Sequence, residues 1–194
     1  MNGFQLLLIN MLTFGLLKAG FTTNCYDGQY FFDTDHPVLG EDGVTITSVA
    51  NTDGGSGTPW FLLDVSRALK PILLQVRKDF EFTSLTDPTT PNVFMNKEFI
   101  YGTDARMNAG FGFWQMAWGS KQALTAANYA VARAGLMGMK GDYGRPLGLN
   151  PRLLVVPPAL ESAALKILNN EFGANGESNE WKGTAEVLVS PWLA

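Results

Sequence analysis

The chain has 194 residues, enough for one domain with a sizeable core, and 46% of them are hydrophobic against only 16% charged. That balance leaves apolar surface to be covered, most simply by contact between subunits, and 13 Phe, 5 Trp and 5 Tyr point the same way. A net charge of −4 with no run of Lys or Arg argues against direct nucleic-acid binding, and the single cysteine excludes an intramolecular disulfide and a zinc site built on thiolates.

Taken in chain order, Phe4 to Lys18 is apolar on all faces and Gly20 stands where a helix stops. The run lacks the basic start and cleavage site of a secretory signal. It is also shorter than the ~20 residues that span a bilayer, so it is expected to be a buried helix, packed on the core or on a neighbour. Thr22 to Thr58 is turn-rich, with β-prone pieces at Tyr30 to Phe32 and Val44 to Val49 and a flexible loop at NTDGGSG, Asn51 to Gly57. Strands are predicted at Trp60 to Leu63, Ile72 to Val76, Val93 to Tyr101 and Arg106 to Trp118. The polar link Ser84 to Asn92 joins two arms of a long projecting hairpin. Its strands would be half exposed in a monomer, which invites cover from another subunit.

Thr125 can cap a helix running to Met139, with Tyr129, Ala132, Leu136 and Met139 on one face. Arg152 to Val156 is a continuous apolar strand, and Pro158 opens a helix to Phe172 with a stripe of Leu160, Ala163, Ala164, Ile167 and Leu168. A polar loop, Gly173 to Gly183, leads to a last strand, Thr184 to Ser190. This gives an α+β chain in three parts: an N-terminal helix at 1–21, an extended, β-rich region with the hairpin at 22–121, and a compact α/β part at 122–194.

Chemistry-bearing residues are few. Asp33, Asp35 and His36 form the best metal-like cluster and the only basis for a metal-assisted hydrolase, but they lack helical ligand spacing and precede Pro37 as turn formers do. Cys25 with His36 could be a nucleophile pair, yet Asp27 would raise the thiol pKa. The glycines at 54, 55 and 57 lack a P-loop lysine, and Gly110-Phe111-Gly112 lacks the third glycine of a dinucleotide fingerprint, so those glycines are expected to let large neighbours pack within a sheet. No catalytic, cofactor-binding or metal-binding residue is assigned, and no enzyme is expected.

Four strings carry a resemblance: CYDGQYFFDTDHPV (Cys25 to Val38), WFLLDVSRALKPILLQVRK (Trp60 to Lys78), YGTDARMNAGFGFWQMAWGS (Tyr101 to Ser120) and GDYGRPLGLNPRLLVVPPALESAALKIL (Gly141 to Leu168). In that order, and with the closing KGTAEVLVSPWL (Lys182 to Leu193), they resemble the gene-product-T-like major head subunits of Mu-like phages and prophages. The resemblance implies a major capsid fold of the Hong Kong 97 type, with peripheral and axial domains and an extended β-hairpin loop. It implies self-assembly into an icosahedral shell around double-stranded DNA, in the virion and, before assembly, in the host cytoplasm. Scaffold, portal and decoration proteins are further expected partners, with no membrane and no sequence-specific nucleic-acid contact. It also implies a longer N-terminal region than this chain carries, through truncation, a late start or a shortened copy. Another phage structural part, such as a tail or head-completion protein, is the alternative reading. Lysine-to-asparagine links known in the broader fold find no supporting spacing at Lys97 or Asn108.

Overall fold

The computed structural model describes residues 3–173 and 176–194. Helix α1, Gly3–Ala19, is followed by a small antiparallel pair, β1 (His36–Leu39) and β2 (Ile46–Val49). Strands β3 (Thr52–Gly55) and β4 (Trp60–Leu63) come next, then a long antiparallel hairpin of β5 (Ile72–Leu85) and β6 (Ile100–Phe111) with helix α2 (Pro91–Asn96) at its tip. The chain returns through β7 (Ala117–Lys121), α3 (Ala126–Met137), β8 (Leu153–Val156), α4 (Glu161–Leu168) and β9 (Glu186–Val189).

The core is a five-stranded sheet in the order β3-β7-β4-β8-β9. Its centre is β4, antiparallel to both β7 and β8, and all four of its side chains are buried. WFLL is a short, fully apolar run, the pattern of a strand covered on both faces. The sheet draws β3, β4 and β7 from residues 22–121 and β8 and β9 from residues 122–194. Helix α3 buries Tyr129, Ala132 and Leu136, the stripe its sequence shows, and Thr125 accepts from the Asn128 amide at 3.2 Å as its cap. The Tyr129 hydroxyl lies 2.9 Å from Thr184 Oγ1, which fixes the loop entering β9.

Several sequence expectations are corrected. Val93 to Tyr101 is not one strand, since only Ile100 and Tyr101 belong to β6: Thr90 and Pro91 start α2, with Phe94 N donating to Thr90 O at 2.9 Å and Lys97 N to Val93 O at 3.0 Å. Proline at the first helical position overrode the β-prone aromatic content. Arg106 to Trp118 is two strands of different sheets, parted at Gly112 and the turn Trp114–Met116. Gly112 approaches backbone, not rings, for a Cβ there would sit 2.2 Å from Lys70 O, and Gly110 faces open space. The NTDGGSG run contains β3, not only a loop. Gly55 pairs with Lys121 at φ +99, and a Cβ on it would fall 2.5 Å from the Lys121 carbonyl.

Helix α4 ends at Leu168, short of Phe172. Asn179 Nδ2 donates to Ile167 O at 2.8 Å and Asn170 O at 2.9 Å, and Gly183 N donates to Leu168 O at 2.8 Å, so the polar loop satisfies the carbonyls another turn would have used. Tyr30 to Phe32 makes one isolated bridge and then turns both phenyl rings inward, where Phe31 stacks on Phe111 at 4.2 Å. Helix α1 has the predicted extent, but on it only Leu17 is classed as buried among the described side chains, and Leu6, Leu7 and Met11 are nearly half exposed.

Asp64, fully buried just after β4, ties the sheet to the loop before β8. It accepts from the Ser66 hydroxyl at 2.6 Å, the Ser66 amide at 2.9 Å and the Asn150 amide at 2.9 Å. Burial pushes its carboxyl pKa up, but these donors outweigh burial and hold it below the ordinary value. A lowered folded-state pKa means that its stabilisation is fully present above the unfolded value of about 3.9 and is lost as pH falls through the folded one. Asp64→Asn is therefore expected to cost about 1–3 kcal/mol near neutrality. The deficit relative to the parent should shrink on going below about pH 4, which urea midpoints at pH 7 and pH 3 would read directly.

Candidate assembly surface and the buried histidine cluster

The hairpin is largely exposed along both strands. Its register runs from Ile72 opposite Phe111 to Leu85 opposite Ile100, interrupted by irregularities between Val76 and Lys78 and between Lys78 and Glu81. At about 3.3 Å per residue its strands reach some 45 Å, and both strands contact α1. A two-stranded ribbon is marginal by itself. Lys78 bridges strands to Asp104 at 2.7 Å and also holds Glu81 at 2.8 Å. Asp104 is held below the ordinary carboxylate range by the Lys78 ammonium, but all three groups are exposed, so these pairs set register more than they stabilise.

Apolar side chains crowd the hairpin's outer half. Phe82 is 72% exposed, Phe94 79% and Met95 78%, with Phe99 and Tyr101 beside them, while Val93 alone of α2 is buried. Lys97 closes α2 in the left-handed conformation at φ 56. Large rings held this far into solvent, on an element with no core of its own, form an apolar surface of the kind that marks an interaction site.

The hydrolase cluster does not assemble. His36 is fully buried in β1, where alternation turns it inward with Val38 and leaves Pro37 outside, but Asp35 is exposed and Asp33 accepts from the amides of Tyr30 and Thr34. The partners of His36 are instead Asp27 and Cys25. Asp27 Oδ2 lies 2.7 Å from His36 Nδ1, Cys25 Sγ donates to Asp27 Oδ1 at 3.0 Å, and Trp114 stacks on the imidazole at 3.9 Å. Burial, and then the hydrogen bond to Asp27, push the Cys25 thiol up to about 12, so it is no nucleophile at neutral pH. Burial also raises Asp27, but hydrogen bonds from Cys25, His36 and the Gln29 amide outweigh it and hold the carboxyl low. Sequence reasoning had Cys25, Asp27 and His36 in view but not the strand that turns His36 toward the other two. Beside the cluster lies a cavity of about 360 Å³ whose wall includes Tyr26, Asp27, Trp114 and Arg67.

The fold thus joins a small mixed sheet, flanking helices and a long hairpin whose outer half carries exposed apolar side chains. The fold matches the procapsid subunit of bacteriophage JBD30 with a TM-score of 0.85 at 42% identity, over 95% of this chain and 63% of that one. It also matches a subunit of the JBD30 capsid with a TM-score of 0.81 at 25% identity, over 96% and 63%. The architecture is thus the α+β capsid fold of the Hong Kong 97 type. The profile of the family described as "Mu-like prophage major head subunit gpT" covers residues 7–193, and the chain belongs to that family. Relatives include the Mu-like prophage FluMu major head subunit of Haemophilus influenzae, 47% identical, and the major capsid protein of Escherichia phage Mu, 44% identical. Each match takes in 94% of this chain and 62% of the relative, so the chain spans somewhat under two thirds of their length.

Proposed function

We propose that this chain acts as a major capsid, or head, protein of a tailed Mu-like phage or prophage, self-assembling into an icosahedral shell that encloses double-stranded DNA. The observation that carries the reading is the hairpin. A ribbon of about 45 Å, with Phe82, Phe94 and Met95 more than two-thirds exposed, presents apolar surface that neighbouring copies would cover. Helix α1 adds a second apolar face, and permanent assemblies bury well over about 1,600 Å² per interface. The net charge of −4 fits a wall that encloses DNA without adhering to it.

Within the shell, residues 1–21 and the hairpin of 22–121 would reach neighbours, while 122–194 would supply the compact part. The particle would place the protein in the virion, with the host cytoplasm as the site of assembly. A related capsid subunit, matching with a TM-score of 0.77 at 26% identity, comes from a JBD30 capsid "decorated with minor capsid protein trimers". By analogy a decoration protein is a candidate partner here, beside scaffold and portal proteins. No membrane partner is proposed; among the described residues no helix is long and apolar enough to cross a membrane.

Sedimentation velocity with negative-stain microscopy tests the reading. Capsomer-sized oligomers or closed shells are expected, growing with concentration. A strict monomer up to high concentration overturns it, and open tubes or flat rings would replace it with a tail or head-completion role.

A further inference from the structure

We propose that Cys25, Asp27 and His36 bind one divalent cation of the zinc type, clipping the turn that follows α1 to strand β1. Cys25 Sγ, a carboxylate oxygen of Asp27 and a ring nitrogen of His36 all lie within 4.8 Å of one another. The cluster is drawn from two structural elements, it includes a fully buried imidazole, and it mixes a sulfur, an oxygen and a nitrogen donor. Such a set differs from a chance gathering of surface acids.

Accepting an ion takes a local rearrangement of the three donors. Zinc sits about 2.3 Å from sulfur and about 2.0–2.1 Å from nitrogen or oxygen, so tetrahedral neighbours stand roughly 3.3–3.6 Å apart. The present separations are 2.7 Å for Nδ1 to Oδ2 and 3.0 Å for Sγ to Oδ1. The Asp27 contacts must open by about half an ångström, while Cys25 Sγ and the His36 ring nitrogen, within 4.8 Å of each other, converge on the same ion. Trp114 stacks on His36 and holds it in place, so the adjustment falls on the turn carrying Cys25 and Asp27, next to Gly28 at φ +88.

The charges also match. Binding displaces the Cys25 thiol proton to solvent, and the resulting thiolate and the Asp27 carboxylate together neutralise a dication. To coordinate through Nδ1, the imidazole gives up its hydrogen bond to Asp27 and carries its proton on Nε2, which is buried and has no hydrogen-bond partner among the described residues, so ion binding must outweigh an unpaired N–H. The fourth position is left for water from the cavity that Asp27 lines. One thiolate and one imidazole favour zinc or cobalt over magnesium or calcium, which prefer all-oxygen sites.

The experiment uses the full chain, stripped with a chelator and titrated with Co²⁺, then with Zn²⁺. The expected result is one cobalt per chain, a thiolate-to-cobalt charge-transfer band in the near ultraviolet, its loss on adding zinc, and a higher Tm with either ion. Cys25→Ser should lose the band and the rise in Tm while keeping its circular dichroism, because the residue is only partly buried. Asp27→Asn, which keeps the shape of the turn, should weaken binding at least about tenfold. His36→Gln should do the same, and it is read only if its fold is intact by the same spectrum. No cobalt retained at micromolar free ion, or equal binding by Cys25→Ser, overturns the proposal and leaves the three residues as a hydrogen-bonded cluster only.

Discussion

Placing two charges on the hairpin tip, Phe94→Asp with Met95→Asp, is expected to abolish assembled particles while leaving the fold intact. Both side chains are more than three-quarters exposed in the single chain, so their replacement should move stability by no more than about 0.5 kcal/mol. In an interface the outcome reverses. Buried aromatic anchors typically contribute about 2 kcal/mol or more, and an unpaired carboxylate forced into the same pocket adds a desolvation cost of its own. A closed shell repeats each contact in every copy, so a modest loss per contact removes the particle. Sedimentation velocity should show the variant at the smallest species while its circular dichroism matches the parent's, and Phe94→Leu alone should retain assembly. If the charged variant forms particles at the parental concentration, the tip is not an assembly surface.

The largest loss of stability is expected from Trp60→Ala. Trp60 is fully buried at the start of β4, the strand between β7 and β8, and its Nε1 donates to Gln122 O at 2.9 Å. Removing it leaves a large cavity and an acceptor without its donor, at a cost of about 3–5 kcal/mol. Against a total of about 5–15 kcal/mol, that is enough to leave much of the chain unfolded at 37 °C. A urea unfolding series should show the midpoint fall sharply; a fall of under about 1 kcal/mol would mean that β4 does not anchor the sheet.

The two substitutions separate two kinds of apolar residue that composition cannot tell apart. Trp60 and Phe94 both contribute to the 46% hydrophobic content, yet one is wholly enclosed and the other 79% exposed. The same holds along α1, where apolar residues on every face predicted a buried helix and only Leu17 is buried among the side chains described. Hydropathy records which surface must be covered. It does not record whether the same chain or another copy covers it.

Where the physics is local, the residues alone were sufficient. Thr125 capping α3, the Tyr129, Ala132 and Leu136 stripe, the apolar runs WFLL and LLVV, and the existence of a long hairpin follow from capping, periodicity and turn chemistry within a few residues. The long ordered strings likewise carried the family. Only the folded chain decided what depends on contacts distant in sequence. Lys121 keeps β3 in the sheet beside Gly55, the loop reaching back to α4 ends that helix at Leu168, and strand alternation turns His36 away from Asp35 and onto Asp27. Each of these rests on a hydrogen bond or close packing between segments that meet only after the sheet has formed, and no local pattern encodes which partner will be there.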